Sequence, residues 1–220
     1  MLIKDLFASS DAKNSLGSKF RAKRFEDFKA KLDSIPTPVK ILDIGGLESF
    51  WVNNGIGGDM RYDVTILNLD KAQVHYPNFK SLAGDATNLS AFEDKSFDIV
   101  FSNSVIEHVY TLENQQKMAN EIMRVGNHYY VQTPNKHFFI EPHYILPFFD
   151  YLPNGLKYFI LTRTPLSRGK RWRKEDAQQY IQEIRLIALG EMKKLFPRSK
   201  IYKEKFFGMV KSFTSHNFSA

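Results

Sequence analysis

Val39-Lys40-Ile41-Leu42-Asp43-Ile44-Gly45-Gly46 is the stretch on which the fold turns. Its apolar run is too short for a helix and suits a strand covered on both faces. It ends in an acid and then in paired glycines. Without a Cβ, Gly45 and Gly46 let the backbone turn sharply and lie against a bound molecule. In open α/β sheets ligands sit beyond the carboxyl ends of the strands, where this turn falls.

Upstream, residues 1–38 read as a helical segment. Leu16, Phe20, Phe25, Phe28, Leu32 and Ile35 recur close to one helical stripe, with Lys19, Arg21, Lys23 and Arg24 largely off it. The stripe is a packing face or a lid. Pro36 and Pro38 end the helix and lead into the first strand.

Downstream, a short helix is expected from Leu47, broken by Gly55, Gly57 and Gly58. Strands are expected over 63–70, 79–85, 96–103 and 128–133, with a helix from near Thr111 to Val125 stopped by Gly126. Residues 136–172 are the most aromatic part and read as an insertion covering substrate, within a single domain spanning 1–220. A long helix is expected from Lys174 to Phe196. Residues 200–207 and 210–217 read as a hairpin around Gly208. Alternating strands and helices make the chain α/β, with a parallel sheet and an antiparallel hairpin at its end.

At 220 residues there is enough chain for one well-buried domain. The composition, 43% hydrophobic and 25% charged, is that of a globular protein. No apolar run has the length of a bilayer-spanning helix. Cysteine is absent, which excludes disulfides, thiolate metal sites and a cysteine nucleophile. With no signal-peptide layout at the start, a cytoplasmic location is expected. The net charge of +7 is mostly dispersed and reads as a solvated surface, except for the cluster Arg168–Lys174.

Three acids fall at three successive strand ends: Asp43, Asp70 and Asp85. Asp70 is placed to accept both hydroxyls of a ribose. Asp85 can accept from an adenine amino group, with Ala86 leaving room for the ring. Asn103 ends the fourth strand and can bond an amino-acid head group. The ordered set suits a cofactor that joins adenine, ribose and a charged amino acid. A dinucleotide is the rival ligand. Its turn uses three glycines at fixed spacing to approach a pyrophosphate, and an acid at 43 would repel phosphate.

On these residues the chain resembles the class I S-adenosylmethionine-dependent methyltransferases, in particular the type 11 group. The resemblance runs from Lys40 to about Asn135. It is carried by Ile41–Gly46, Leu69-Asp70, Gly84-Asp85-Ala86, Thr133-Pro134-Asn135 and, most specifically, Phe97–Val109. It implies a doubly wound, mostly parallel seven-stranded sheet with an antiparallel last strand, the Rossmann-like methyltransferase fold. It implies Gly45 and Gly46 at the methionine part of the cofactor, Asp70 at the ribose, and Asp85 and Ala86 at the adenine. The family's first loop usually has three glycines; Leu47 and Ser49 stand at the second and third. A Cβ at Leu47 narrows the approach. This keeps open a second reading, a non-catalytic binding or scaffold protein with an impaired cofactor loop.

Methyl transfer is an in-line displacement in which the protein supplies alignment and, for a hydroxyl or carbon acid, a proton acceptor. His108 is the first candidate base and His143, near Glu141, the second. Glu107 and His108, even with His143, make a thin ligand set, and no metal is expected. The acceptor is expected to be a small molecule, a sugar or a lipid-linked precursor. Phe148, Phe149, Tyr151 and the Arg168–Lys174 cluster allow peripheral membrane contact. One tryptophan in a short basic run is little support for nucleic acid, which is not expected.

Overall fold

In a computed structural model, residues 16–219 are described, the side chains of 16–18 excepted. The expected helical segment before residue 16, and the Leu16 side chain, lie outside the described residues. The elements run α1 (Leu16–Leu32), β1 (Val39–Ile44), α2 (Glu48–Asn53), β2 (Tyr62–Asn68), β3 (Phe79–Ala83), β4 (Phe97–Asn103), α3 (Leu112–Val125) and β5 (Gly126–Pro134). They continue with β6 (Ile140–Glu141), β7 (Leu146–Pro147), α4 (Asn154–Arg163), α5 (Lys174–Glu183), α6 (Leu189–Leu195), β8 (Lys200–Phe206) and β9 (Met209–His216). Short 3₁₀ turns occupy Ile106–His108 and Phe149–Tyr151.

Seven strands form one sheet in the order β3-β2-β1-β4-β5-β9-β8. β1 pairs in parallel with both β2 and β4, so it lies at the centre, where strand order reverses. β9 runs antiparallel to β5 and to β8. This is the α/β architecture expected, a doubly wound sheet with an antiparallel last strand. The β8–β9 hairpin turns through Phe207 and Gly208, both at positive φ. That pair of left-handed residues matches the twist of the flanking strands.

Strand alternation divides β1 between two layers. Leu42 and Ile44 join Val100, Val131 and α3's Met118 and Ile122 in one core. Val39 and Ile41 join Phe101, Tyr130, Trp51 and α1's Phe28 and Leu32 in the other. The phenylalanine stripe of α1 is thus a packing face on the sheet. Phe28 is fully buried, with its ring centroid 4.7 Å from Phe101 and 5.1 Å from Tyr130. Arg24, expected off the stripe, is also inward. It pairs with Glu204 of β8 at 2.6 Å.

One local reading is corrected. The long helix over 174–196 is two helices, α5 and α6, separated by extended chain at Ile184–Ala188. The break has a cause in partners remote in sequence. Arg185 N–H donates to Glu107 O at 2.8 Å, Lys136 N–H donates to Ile187 O at 3.1 Å, and Gln115 Nε2 donates to Arg185 O. Those bonds need a non-helical backbone here. Gly126 stops α3 as expected, in extended geometry at φ −99. Its role is close packing, since a Cβ there would come within 2.7 Å of Val100 Cγ2 and 2.6 Å of His128 O.

Candidate active site

The register places the ends of β1, β2, β3 and β4 along one edge. Ile44 pairs with Leu67 and with Ser102, and Leu67 pairs with Leu82. Asp85, Asp70, Gly45-Gly46 and Asn103 therefore follow one another in that order across the carboxyl rim. The glycine loop is pinned to its neighbour strand. Gly45 N–H donates to Leu67 O at 2.8 Å, and Asn68 Nδ2 donates to Gly46 O at 2.9 Å.

Asp43 differs from the other acids. It lies inside β1 rather than beyond it, and is buried. Trp51 Nε1, on the first helix after the loop, donates to Asp43 Oδ2 at 2.7 Å. Oδ1 has no partner. Burial pushes the Asp43 carboxyl up to about 7, and the Trp51 hydrogen bond pulls against that shift.

Gly46 lies over the carboxylate so closely that a Cβ would fall 1.6 Å from Oδ2. Gly45 sits at φ +77, and a Cβ there would meet Val105 Cγ2 at 2.4 Å. The two glycines are required by sterics, one by conformation and both by close approach. An unpartnered carboxylate oxygen beside a loop with no room for side chains suits a cationic ligand laid against backbone.

Leu47 is extended and 62% exposed, so its side chain does not fill the hollow between the strand ends. Glu48 turns the other way and accepts from His75 N at 2.7 Å, from Tyr76 N and from His75 Nδ1, which fixes the segment after β2. Asp70 is exposed. Asp85 is also exposed, with Oδ1 accepting from Thr87 N and Thr87 Oγ1, both at 2.8 Å. Ala86 packs against the core beside it. Asn103 shares a hollow with Arg21, Arg24 and Phe25 of α1 and with Phe50. Those arginines were missed from sequence, where they read as an outer face.

Across the rim from the glycines, the turn Ile106–His108 follows β4. Its entry residue Val105 is the one that crowds Gly45. Here the structure brings together residues far apart in the chain. The rings of His108 and His143 are perpendicular, with centroids 5.0 Å apart. Glu141 Oε1 holds His143 Nδ1 at 2.6 Å, and its Oε2 accepts from Tyr144 N at 2.8 Å. Arg168 Nε donates to His143 O and so clamps the same turn.

Glu107 is fully buried. Thr133 Oγ1 donates to its Oε2 at 3.0 Å, and Oε1 has no partner. Burial raises the Glu107 carboxyl to about 7. Burial and the neighbouring His143 lower His108. Burial also pulls His143 down, but its bond to the Glu141 carboxylate outweighs this and leaves it raised. One ligand atom from each of Glu107, His108 and His143 lies within 4.8 Å of the other two.

Comparison with known proteins shows a family likeness over part of the chain. The family described as "Methyltransferase domain", type 11, matches residues 53–128, which hold Asp70, Asp85, Ala86, Asn103 and His108. The glycine loop lies just before the matched stretch. The matched stretch covers about a third of the chain, and the sheet order above is that of the Rossmann-like methyltransferase fold.

Among solved structures, N-methyltransferase NodS from Bradyrhizobium japonicum, in complex with S-adenosyl-L-homocysteine, is similar at 9% identity. Its TM-score is 0.51, with 97% of this chain and 94% of that one covered. A Rhodobacter sphaeroides structure described as a zinc-dependent alcohol dehydrogenase aligns at 12% identity and TM-score 0.53, covering 89% and 90%. A methyltransferase from Methanosarcina mazei aligns at 14% identity and TM-score 0.49, covering 84% and 94%. At such identities these likenesses concern the fold. No curated protein matches the sequence significantly.

Proposed function

We propose that the chain methylates a hydroxyl group of a small molecule, sugar or lipid-linked acceptor bound between the 106–108 turn and the aromatic segment 136–172. The observation that carries this reading is the convergence of a carboxylate-held His143 on His108, in the turn whose entry residue Val105 closes on Gly45. An amine can present its lone pair at neutral pH, whereas a hydroxyl needs its proton taken or its acidity raised. Two imidazoles next to a methyl-donor site serve the second case.

S-adenosylmethionine, when bound, supplies the activated methyl group. In this reading Gly45 and Gly46 border its methionine part and Asp43 faces its cationic end. Asp70 takes the ribose hydroxyls, and Asp85 and Ala86 the adenine. Asn103, with Arg21 and Arg24 in the same hollow, holds the amino-acid head group. His108 and His143 activate the acceptor, and the aromatic segment excludes water from it.

That segment also has exposed Phe148, Tyr151, Phe159 and Leu166, followed by the cations of 168–174. This supports transient contact with an anionic membrane surface where a lipid-linked acceptor would reside. Among the described residues no helix is long and apolar enough to cross a membrane.

The scaffold reading loses its basis where Leu47 is exposed rather than packed into the loop. Calorimetry with S-adenosylmethionine, followed by methyl-transfer assays on saccharide and polyprenyl-saccharide pools, tests the proposal. Methylation confined to nitrogen acceptors would overturn it.

A further inference from the structure

Glu107, His108 and His143 do not need one another as hydrogen-bond partners, yet the fold brings them together. Glu107 and His108 come from the turn after β4, and His143 from the turn after β6. One donor atom of each lies within 4.8 Å of the others. Glu107 Oε1 is buried with no partner, while Thr133 fixes its other oxygen. A buried carboxylate oxygen left without a donor is costly unless something of opposite charge faces it.

His143 is oriented as metal-binding histidines are. Its Nδ1 is engaged by the Glu141 carboxylate, which leaves Nε2 as the free ligand atom and makes it more basic. Glu141 is itself buried and held by Tyr144 N–H, and Arg168 braces the turn through His143 O. The orienting groups around the imidazole are therefore in place.

We infer that Glu107, His108 and His143 form a binding site for one divalent transition-metal ion. Two imidazoles and one carboxylate suit zinc, iron, cobalt or manganese rather than magnesium or calcium, which favour oxygen-only shells. Metal–ligand bonds of about 2.0–2.2 Å need the three donors to close by about an ångström, a side-chain adjustment. Three protein ligands leave coordination positions open to water or to an oxygen of the acceptor. An oxygen so bound gives up its proton more readily. The inference deepens the reading of His108 and His143 as the activating pair. The uptake of metal does not depend on that reading.

The test uses untagged full-length protein stripped with a chelator and then freed of it. Cobalt(II) titration followed by visible absorption is expected to show one ion per chain, displaced by zinc. Glu107→Gln, His108→Gln and His143→Gln should each weaken binding at least ~10-fold, and Glu141→Gln about 10–100-fold. On the unaltered protein, cobalt should broaden the ring resonances of His108 and His143 and spare those of His75 and His128. Calorimetry with S-adenosylmethionine on the same variants reports separately on the cofactor site. Loss of cofactor binding in the metal-free wild type would overturn the functional reading, not the metal site. Absence of stoichiometric uptake, uptake unchanged in the histidine variants, or broadening centred on other histidines would overturn the metal site.

Discussion

Trp51 Nε1 donates to Asp43 Oδ2 at 2.7 Å, across the glycine loop that joins the strand of one to the helix of the other. The bond closes the loop covalently bounded by β1 and α2 into a fixed ring, with Gly46 pressed on the carboxylate. Burial dominates the environment of Asp43 and the indole opposes it.

This sets a pH dependence. The native pKa of about 7 lies above the ordinary 3.8, so the native state holds the proton more tightly than the unfolded chain. The associated stability is complete below about pH 4 and is lost as pH rises through about 7. Three units correspond to about 4 kcal/mol. Asp43→Asn should remove this share of the slope, read as the difference between urea-unfolding free energies of wild type and variant across pH 4–8. Parallel curves would show that Asp43 ionises normally.

Affinity for S-adenosylmethionine should move the opposite way, because a cationic ligand favours the ionised carboxylate. Binding is expected to tighten severalfold from pH 6 to pH 8, more than in Asp43→Asn. Equal pH profiles for the two proteins would place Asp43 away from the ligand's positive charge. Trp51→Phe keeps the ring and removes the donor, so it should weaken binding with little change of fold.

Gly46→Ala is a sharper probe of the same loop. Its Cβ would fall 1.6 Å from Asp43 Oδ2, which forces either the carboxylate or the loop to move. Overpacking of this kind costs about 1–3 kcal/mol. Cofactor binding should fall by more than the stability loss explains. Calorimetry at a temperature where the variant remains folded separates the two effects. Leu47→Gly, at an exposed site, should change affinity much less.

Asp70→Ala tests the ribose assignment. The side chain is exposed, so its removal should leave the unfolding midpoint within the range of ordinary surface changes, about 0.5 kcal/mol. Its loss would remove a bidentate acceptor of two hydroxyls, and S-adenosylmethionine affinity should drop about tenfold or more. Unchanged affinity would move the ribose elsewhere on the rim.

The sheet and its rim were legible in the sequence because both depend on local pattern. Ile41–Ile44, Val64–Leu67 and Ile99–Phe101 are short apolar runs, each ended by turn-forming or polar residues, and that pattern specifies buried parallel strands wherever they pair. What escaped was set by partners far along the chain. Tyr180, Ile184, Ile187, Met192 and Leu195 keep helical spacing straight through a break imposed by Glu107 O and Lys136 N. Arg24 looked like a solvated cation because Glu204 lies 180 residues away. Glu107, His108 and His143 were weighed together from the sequence, but nothing local shows that the turns after β4 and β6 meet, as the 5.0 Å between the two imidazoles shows they do.

That Arg24–Glu204 pair supports the last expectation. Glu204 is 3% exposed, bonded to Arg24 Nη1 at 2.6 Å and to Lys211 Nζ at 3.2 Å. Burial acts to raise its pKa, but the two cations outweigh burial and hold it below the usual carboxylate value. Removing one partner of a buried pair strands the other charge, which costs about 3–5 kcal/mol. Arg24→Ala should destabilise by about that amount, measured by urea unfolding, because it also loosens α1 from the sheet hairpin. Lys211→Ala should cost less, since its bond is longer and Arg24 still neutralises Glu204. The double variant Arg24→Leu, Glu204→Leu removes both charges and should recover part of the loss. A double variant no more stable than Arg24→Ala would show that packing of α1, rather than the uncompensated charge, dominates.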